Sequence, residues 1–343
     1  MSRRTVTLLV AGIGVVAAAL AAALLPVPYV ILSPGPTLNT LGQTSGRPLI
    51  SISGHRTYPT NGHLNLVTVS FVGGPGDGFN VFTALRAWLT PSDAVVPEQE
   101  LFPTGQSEQQ VVQQDTEQMA NSQETAQAAA LCTLGIHFTT VDTITQTEKG
   151  LPAAKVLRAG DVITAVDGTP VSCTHDTGTL IREHPAGSPV TLTIVRGHRT
   201  QQVRVNTVNV GGHAVIGVLV SENYRFPFPI KFSVGNIGGP SAGMMFALGI
   251  VDKLTPGGLT GGKFIAGTGE IAANGAVSPI GGIQQKMAGA RAAGATIFLT
   301  PAANCPDTKG AVPAGLRLAR VSTLRQALGD LAAIRAGRPV PGC

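Results

Sequence analysis

The chain has 343 residues, enough for two or three domains with cores of their own. Hydrophobic residues make up 43% and charged residues 13%, and part of the apolar excess sits in one N-terminal run. The formal charge is +5, or +3 without Arg3 and Arg4, with no basic stripe and no interleaved aromatics, which argues against a nucleic-acid partner.

Thr5 to Leu25 runs 21 residues without a charge, about 31 Å as a helix and a match for a bilayer core. Arg3 and Arg4 precede it and no positive cluster closely follows. Residues 1–4 then read as a cytoplasmic tail, 5–25 as a single-pass cell-membrane anchor, and the rest as extracytoplasmic. A cleaved signal peptide is the rival reading and leads to the same compartment, but the run is longer than a typical signal core. Residues 26–47, rich in Pro and Gly, read as an extended, turn-broken stalk.

Residues 48–131 begin with β-branched pieces, LISISG and HLNLVTVSFVGG, followed by a short amphipathic helix in FNVFTALRAWL. The Gln- and Glu-rich stretch from Gly105 to Gly135 is predicted as one or two largely solvent-facing helices.

Residues 132–209 form a separate unit. Ala159-Gly160-Asp161 is a turn, Val162 to Val166 a strand, and Asp167-Gly168 a hairpin signal, with a further strand in PVTLTIVRG. The run from Gly160 to Val171, GDVITAVDGTPV, resembles PDZ domains, which take an extended peptide as an added strand. The resemblance would put the loop for the peptide carboxylate near Leu134, Gly135 and Ile136.

From residue 210 to 336 strands and helices alternate, which argues for an α/β domain, and 337–343 is a short tail. A helix is predicted from Ser241 to Leu254, another from Ile283 to Ala293, a buried strand at ATIFLTP, and a final helix in STLRQALGDLAAIRAG. The four cysteines, Cys132, Cys173, Cys305 and Cys343, form no C-x-x-C pair, so zinc is not expected. An oxidising compartment favours two disulfides. Of the three possible pairings, Cys132–Cys173 and Cys305–Cys343 keep each bridge within one region.

The chemistry concentrates around Ser241 in Gly-Gly-Pro-Ser-Ala-Gly. Gly239-Pro240-Ser241-Ala242-Gly243 fits the nucleophile elbow of α/β-hydrolases, but that fold needs a histidine downstream. All seven histidines, His55, His63, His137, His175, His184, His198 and His213, come before Ser241. The run Gly235 to Pro240 also looks like the chymotrypsin-type signature, yet its nucleophile position is Ile237. A serine can instead be activated by a neutral lysine, provided burial removes the ammonium's preference for charge. Of the downstream lysines, Lys253 adjoins Asp252 in an expected wet, paired setting, and Lys309 lies in a loop. Lys263 closes a near-match to a phosphate-binding loop whose next residue is Phe264 rather than Ser or Thr. Lys286 falls three residues after Ile283 and four before Ala290, on the apolar face of its helix.

GGPSAG, then TGEI, then GGIQQK resembles the catalytic domain of Lon-type serine proteases. The resemblance implies Ser241 as nucleophile, Lys286 as its base and Thr268 as a residue that helps hold the lysine, with Glu270 a weaker supporting candidate. Backbone amides near Gly239, Pro240, Ser241 and Ala242 are candidate oxyanion donors. The expected architecture is α+β: an N-terminal transmembrane helix, a PDZ domain, and a Lon-type proteolytic domain completed by strands that precede the PDZ. The expected function is extracytoplasmic serine endopeptidase activity on peptides or unfolded protein, without ATP, metal or other cofactor. A homo-oligomer, a hexamer in particular, is implied by the resemblance alone. Many relatives carry an Asp three residues before the serine, where this chain has Gly238. An inactive membrane-anchored PDZ adaptor is the competing expectation.

Overall fold

The computed structural model describes residues 2–103 and 105–343. Helix α1 (Arg3–Leu24) is N-capped by Ser2, whose hydroxyl accepts from the Thr5 N–H, and none of its residues is buried. At 22 residues it is long and apolar enough to cross a membrane. Strands β1 (Tyr29–Asn39) and β2 (His63–Val72) follow, then helix α2 (Val81–Trp88) and strand β3 (Ala94–Pro97). Helix α3 (Glu108–Thr133) starts at a reciprocal cap between Ser107 and Gln110.

The next block holds β4 (Thr139–Thr147), β5 (Val162–Val166), helix α4 (Thr177–Arg182), β6 (Pro189–Arg196), β7 (Arg199–Asn206) and β8 (Val218–Arg225). Helix α5 (Gly243–Leu254), β9 (Phe264–Gly267), helix α6 (Ile283–Ala292), β10 (Ile297–Pro301), β11 (Arg317–Val321) and helix α7 (Leu324–Arg335) complete the chain.

The main sheet runs β11-β10-β9-β2-β1-β3. Its first four strands are mutually parallel, β1 runs antiparallel to them, and β3, antiparallel to β1, runs in their direction again. Alternate residues of these strands serve two cores. Leu64, Leu66, Ile265, Ile297 and Leu299 face one side and pack with α5, α7 and the end of α3. Val67, Ala266 and Phe298 face the other side and pack with Ile283, Met287 and Ala290 of α6. Helix α5 is apolar nearly all round, and all but one of its residues are buried, as that pattern demands.

The segment expected as a stalk is different: β1 lies inside the main sheet, between β2 and β3. The Pro-Gly-Pro run that suggested a stalk falls in an irregularity of pairing between Pro34 and Thr37, where the ladder needs no proline N–H. The strand HLNLVTVSFV, from before the PDZ unit, pairs in parallel with β9 from after it.

The smaller sheet runs β7-β6-β5-β4-β8 and has its own core, centred on Ile144, Ile163, Leu192 and Ile194. It interrupts the main fold between α3 and α5. Strand β8 lies past residue 209, yet pairs along β4 from Val218–Thr147 to Arg225–Thr139.

Helix α3 also departs from expectation. Met119, Ser122, Ala126, Ala129 and Ala130 are buried along one face and pack toward α5. The small side chains let two helices approach closely, and small residues carry a weak apolar signal in sequence. Disulfides join Cys132 to Cys173, tying the end of α3 to the small sheet, and Cys305 to Cys343, pinning the C-terminal tail.

Candidate active site

Ser241 lies two residues before α5 begins, on the loop Gly238–Ala242. Lys286 is in the first turn of α6, after Gly282 takes a left-handed conformation at φ 65°. Thr268 immediately follows β9. Because α5 and α6 pack on opposite faces of the main sheet, their residues can meet only beyond the strand ends. They do so at the carboxyl end of β9, where open parallel sheets place ligands.

Lys286 Nζ is 2.8 Å from Ser241 Oγ and 3.4 Å from Thr268 Oγ1. Thr268 Oγ1 donates to the Ser241 carbonyl at 2.9 Å, and the Gly269 N–H donates to the same oxygen at 2.8 Å. The Met244 N–H closes the arrangement onto the Gly269 carbonyl. Lys286 is 4% exposed and Thr268 1%. Burial alone pushes the Lys286 amine down to about 8, with no carboxylate beside it to hold the charged form. The site thus holds a hydroxyl oxygen in hydrogen-bond reach of an amine that gives up its proton readily.

The loop ahead of the serine is held by α3. The Gly239 N–H donates to the Asp115 carbonyl, and Ser122 Oγ donates to the Pro240 carbonyl at 2.9 Å. The Gly239 amide, expected as an oxyanion donor, is therefore occupied, and Pro240 has no N–H to offer. Among the described residues, the Ser241 and Ala242 N–H groups donate to no protein acceptor. Both precede the first turn of a 12-residue helix, where the dipole favours negative charge.

At Gly238 a Cβ would stand 2.6 Å from the Asp115 Cβ. Asp115, from α3, thus fills the space a side chain at 238 would need. Burial raises its carboxyl above the usual range. Asp115 and Ser122 were missed in the sequence because α3 read as a solvated helix. The only signal was the spacing of small residues on one of its faces.

Glu270 is placed apart. It pairs with Ser278 in a short hairpin, is exposed, and bonds to none of Ser241, Thr268 or Lys286. Lys253 is half-buried, and its neighbour Asp252 is fully buried and accepts the Leu259 N–H, a drier setting than expected. The loop ending in Lys263 opens strand β9 rather than a helix, so it lacks the helix N-terminus a phosphate cradle uses.

Leu134, Gly135 and Ile136 end helix α3. Their three N–H groups donate to the carbonyls of Ala130, Cys132 and Leu131, leaving none for a peptide carboxylate. Leu134 and Ile136 pack on the main core instead. The outer edge of β4 beyond them is filled by β8.

A mixed α/β scaffold that closes a serine and a buried lysine at its strand ends is the framework of a serine peptidase. Comparison with known proteins agrees. Residues 132–207 match the model of the PDZ domain, and 232–331 match that of the Lon protease (S16) C-terminal proteolytic domain. A Lon protease of Roseiflexus castenholzii is 42% identical over 71 residues, 21% of this chain and 9% of that protein. Lon protease 1 of Sorangium cellulosum is 40% identical over 103 residues, 29% of this chain and 12% of that protein. The aligned stretches therefore span only a small part of those relatives. The PDZ domain of an SdrC-like protein from Listeria monocytogenes is 25% identical, covering 23% of this chain and 85% of that one, with a TM-score of 0.22. The chain combines a PDZ domain with a Lon-type proteolytic domain, the make-up of a PDZ–Lon-like protease.

Proposed function

We propose that the chain is a membrane-anchored serine endopeptidase that cleaves peptides or unfolded segments outside the cytoplasm, without ATP. The observation that carries this reading is the 2.8 Å separation of Lys286 Nζ from Ser241 Oγ, with the lysine buried. Neutral Lys286 accepts the Ser241 proton as Oγ forms its bond to the scissile carbonyl carbon. The Ser241 and Ala242 N–H groups stabilise the resulting oxyanion. The lysinium then gives its proton to the leaving amine as the C–N bond breaks. Water deprotonated by Lys286 hydrolyses the acyl-enzyme and returns Ser241. Thr268 positions both partners through its contacts with Nζ and with the Ser241 carbonyl.

Substrate recruitment by the PDZ takes a particular form in this reading. Strand β8 already occupies the outer edge of β4, and its own far edge pairs with no strand among the described residues. An extended substrate adds to that open edge.

The experiment compares cleavage of a denatured model protein by the unaltered chain, Ser241→Ala and Lys286→Ala, with thermal melts to establish folding. Loss of cleavage in both folded variants is the expected outcome. Retained cleavage in either overturns the dyad.

A further inference from the structure

Helix α2 carries a large apolar face that the protein itself leaves uncovered. Phe82 is 52% exposed, Leu85 48%, Trp88 74% and Leu89 75%. Their spacing of three and four residues puts them on one side of the helix. Beneath Leu85 and Trp88 a cavity of about 370 Å³ opens against Val27 and Tyr29. Soluble monomers seldom expose so many adjacent large apolar side chains without a partner for them.

The position of α2 identifies the partner. Asn80 caps α2 by accepting the Thr83 N–H, and its amide nitrogen donates to the Ala23 carbonyl in the last turn of α1. Pro26 and Val27, just past α1, pair with Asn80 and Phe79. Helix α2 therefore starts where α1 ends. No residue of α1 is buried, a helix this long and apolar suits lipid, and α2 lies at the point where the chain would leave that lipid.

We propose that α2 is a second membrane contact, an amphipathic helix whose Phe82–Leu85–Trp88–Leu89 face lies in the headgroup–acyl boundary beside the exit of α1. A short helix with an aromatic and leucine face suits that zone, and Trp favours it above other residues because its ring is apolar and its N–H is polar. The contact fixes the protease against the bilayer at two points, so the main sheet, through β1 and β3, has a set orientation to the membrane. The inference rests on α1 spanning the bilayer.

Trp88 is the single tryptophan of the chain, so its fluorescence reports on α2 alone. The full chain is reconstituted in phosphatidylcholine vesicles, with and without bromine on the acyl chains near the headgroup. Flotation after alkaline carbonate washing tests the anchor separately. The expected result is a floating protein whose Trp88 emission is blue-shifted, shielded from acrylamide, and quenched on bromolipid, as for an aromatic ring at the interface. Leu85→Ser with Leu89→Ser is expected to weaken the quenching while flotation persists. A floating chain whose Trp88 is open to acrylamide and indifferent to bromolipid overturns the proposal and leaves the anchor standing. Shielding from acrylamide without bromolipid quenching also overturns it and points to a protein partner or a second copy. A chain that does not float overturns the anchor and the proposal together.

Discussion

Lys286 Nζ stands 2.8 Å from Ser241 Oγ although α6, which carries the lysine, and α5, which follows the serine, pack against opposite faces of the main sheet. Only the carboxyl end of β9 allows that meeting, and Thr268 occupies it.

The pH dependence of cleavage follows from the burial of Lys286. Its amine is pushed down to about 8, and only the neutral form accepts the serine proton. Activity is expected to rise as pH passes through about 8 and then level, measured as kcat/KM on a peptide that does not titrate in that range. A limb centred well below 7 would count against Lys286 as the base.

Thr268→Val keeps the side-chain volume and removes the hydroxyl that donates to the Ser241 carbonyl. The Gly269 N–H still satisfies that oxygen, so the loss in stability is expected to be small, about 1 kcal/mol. The effect on kcat is expected to be larger, about tenfold or more, because the lysine loses a contact that fixes Nζ. Steady-state kinetics beside thermal melts separate the two; an unchanged kcat would remove Thr268 from the site.

Gly238→Ala is expected to slow cleavage, since its Cβ would press on the Asp115 Cβ at 2.6 Å and shift the loop that presents Ser241. Asp115→Gly removes the obstructing atom at a cost of only about 0.3 kcal/mol in helix propensity, since Asp is itself a poor helix former. The double variant is then expected to be more active than Gly238→Ala alone. A double-mutant cycle measures the coupling, and strict additivity would show that the two positions do not touch.

Pairing of β8 with β4 sets Glu222 directly opposite Asp142. Asp142 is fully buried; one of its oxygens accepts from Thr177 Oγ1 and the other has no partner among the described residues. Burial raises both carboxyls above their ordinary range. The folded state therefore holds these protons more tightly than the unfolded chain, so their contribution to stability is present in acid and lost as pH rises through the raised values. Asp142→Asn is expected to flatten the decline in melting temperature that sets in above the ordinary carboxylate range, at about pH 4. The difference between the two melting profiles checks this, and parallel profiles would refute it.

Much of this was legible from local signals. The order Gly-Gly-Pro-Ser-Ala-Gly, Thr-Gly-Glu-Ile and Gly-Gly-Ile-Gln-Gln-Lys marked the site, and helical spacing alone put Lys286 on an apolar face. The turn at Ala159-Gly160-Asp161 and the hairpin at Asp167-Gly168 marked the smaller sheet. The strand before the PDZ unit was legible as a strand from its β-branched residues, but its assignment to the later half of the fold came from the resemblance, because the region after the PDZ unit is short for a whole Lon-type catalytic domain.

Other features depended on contacts between distant residues. Pro34, Gly35 and Pro36 signal a break in any local window, and a bulge absorbs them only because β2 and β3 lie on either side. Helix α3 looks solvated by composition, yet the small residues of one face let it reach α5 and hold the nucleophile loop through Asp115 and Ser122. The edge of β4 reads as open until β8, more than 70 residues away, pairs with it. By itself the sequence determined the chemical inventory and the faces of its helices, because those depend on residue type and period. Tertiary structure decided which amides are free, which edges are filled and which helix supports the serine, because each depends on long-range packing.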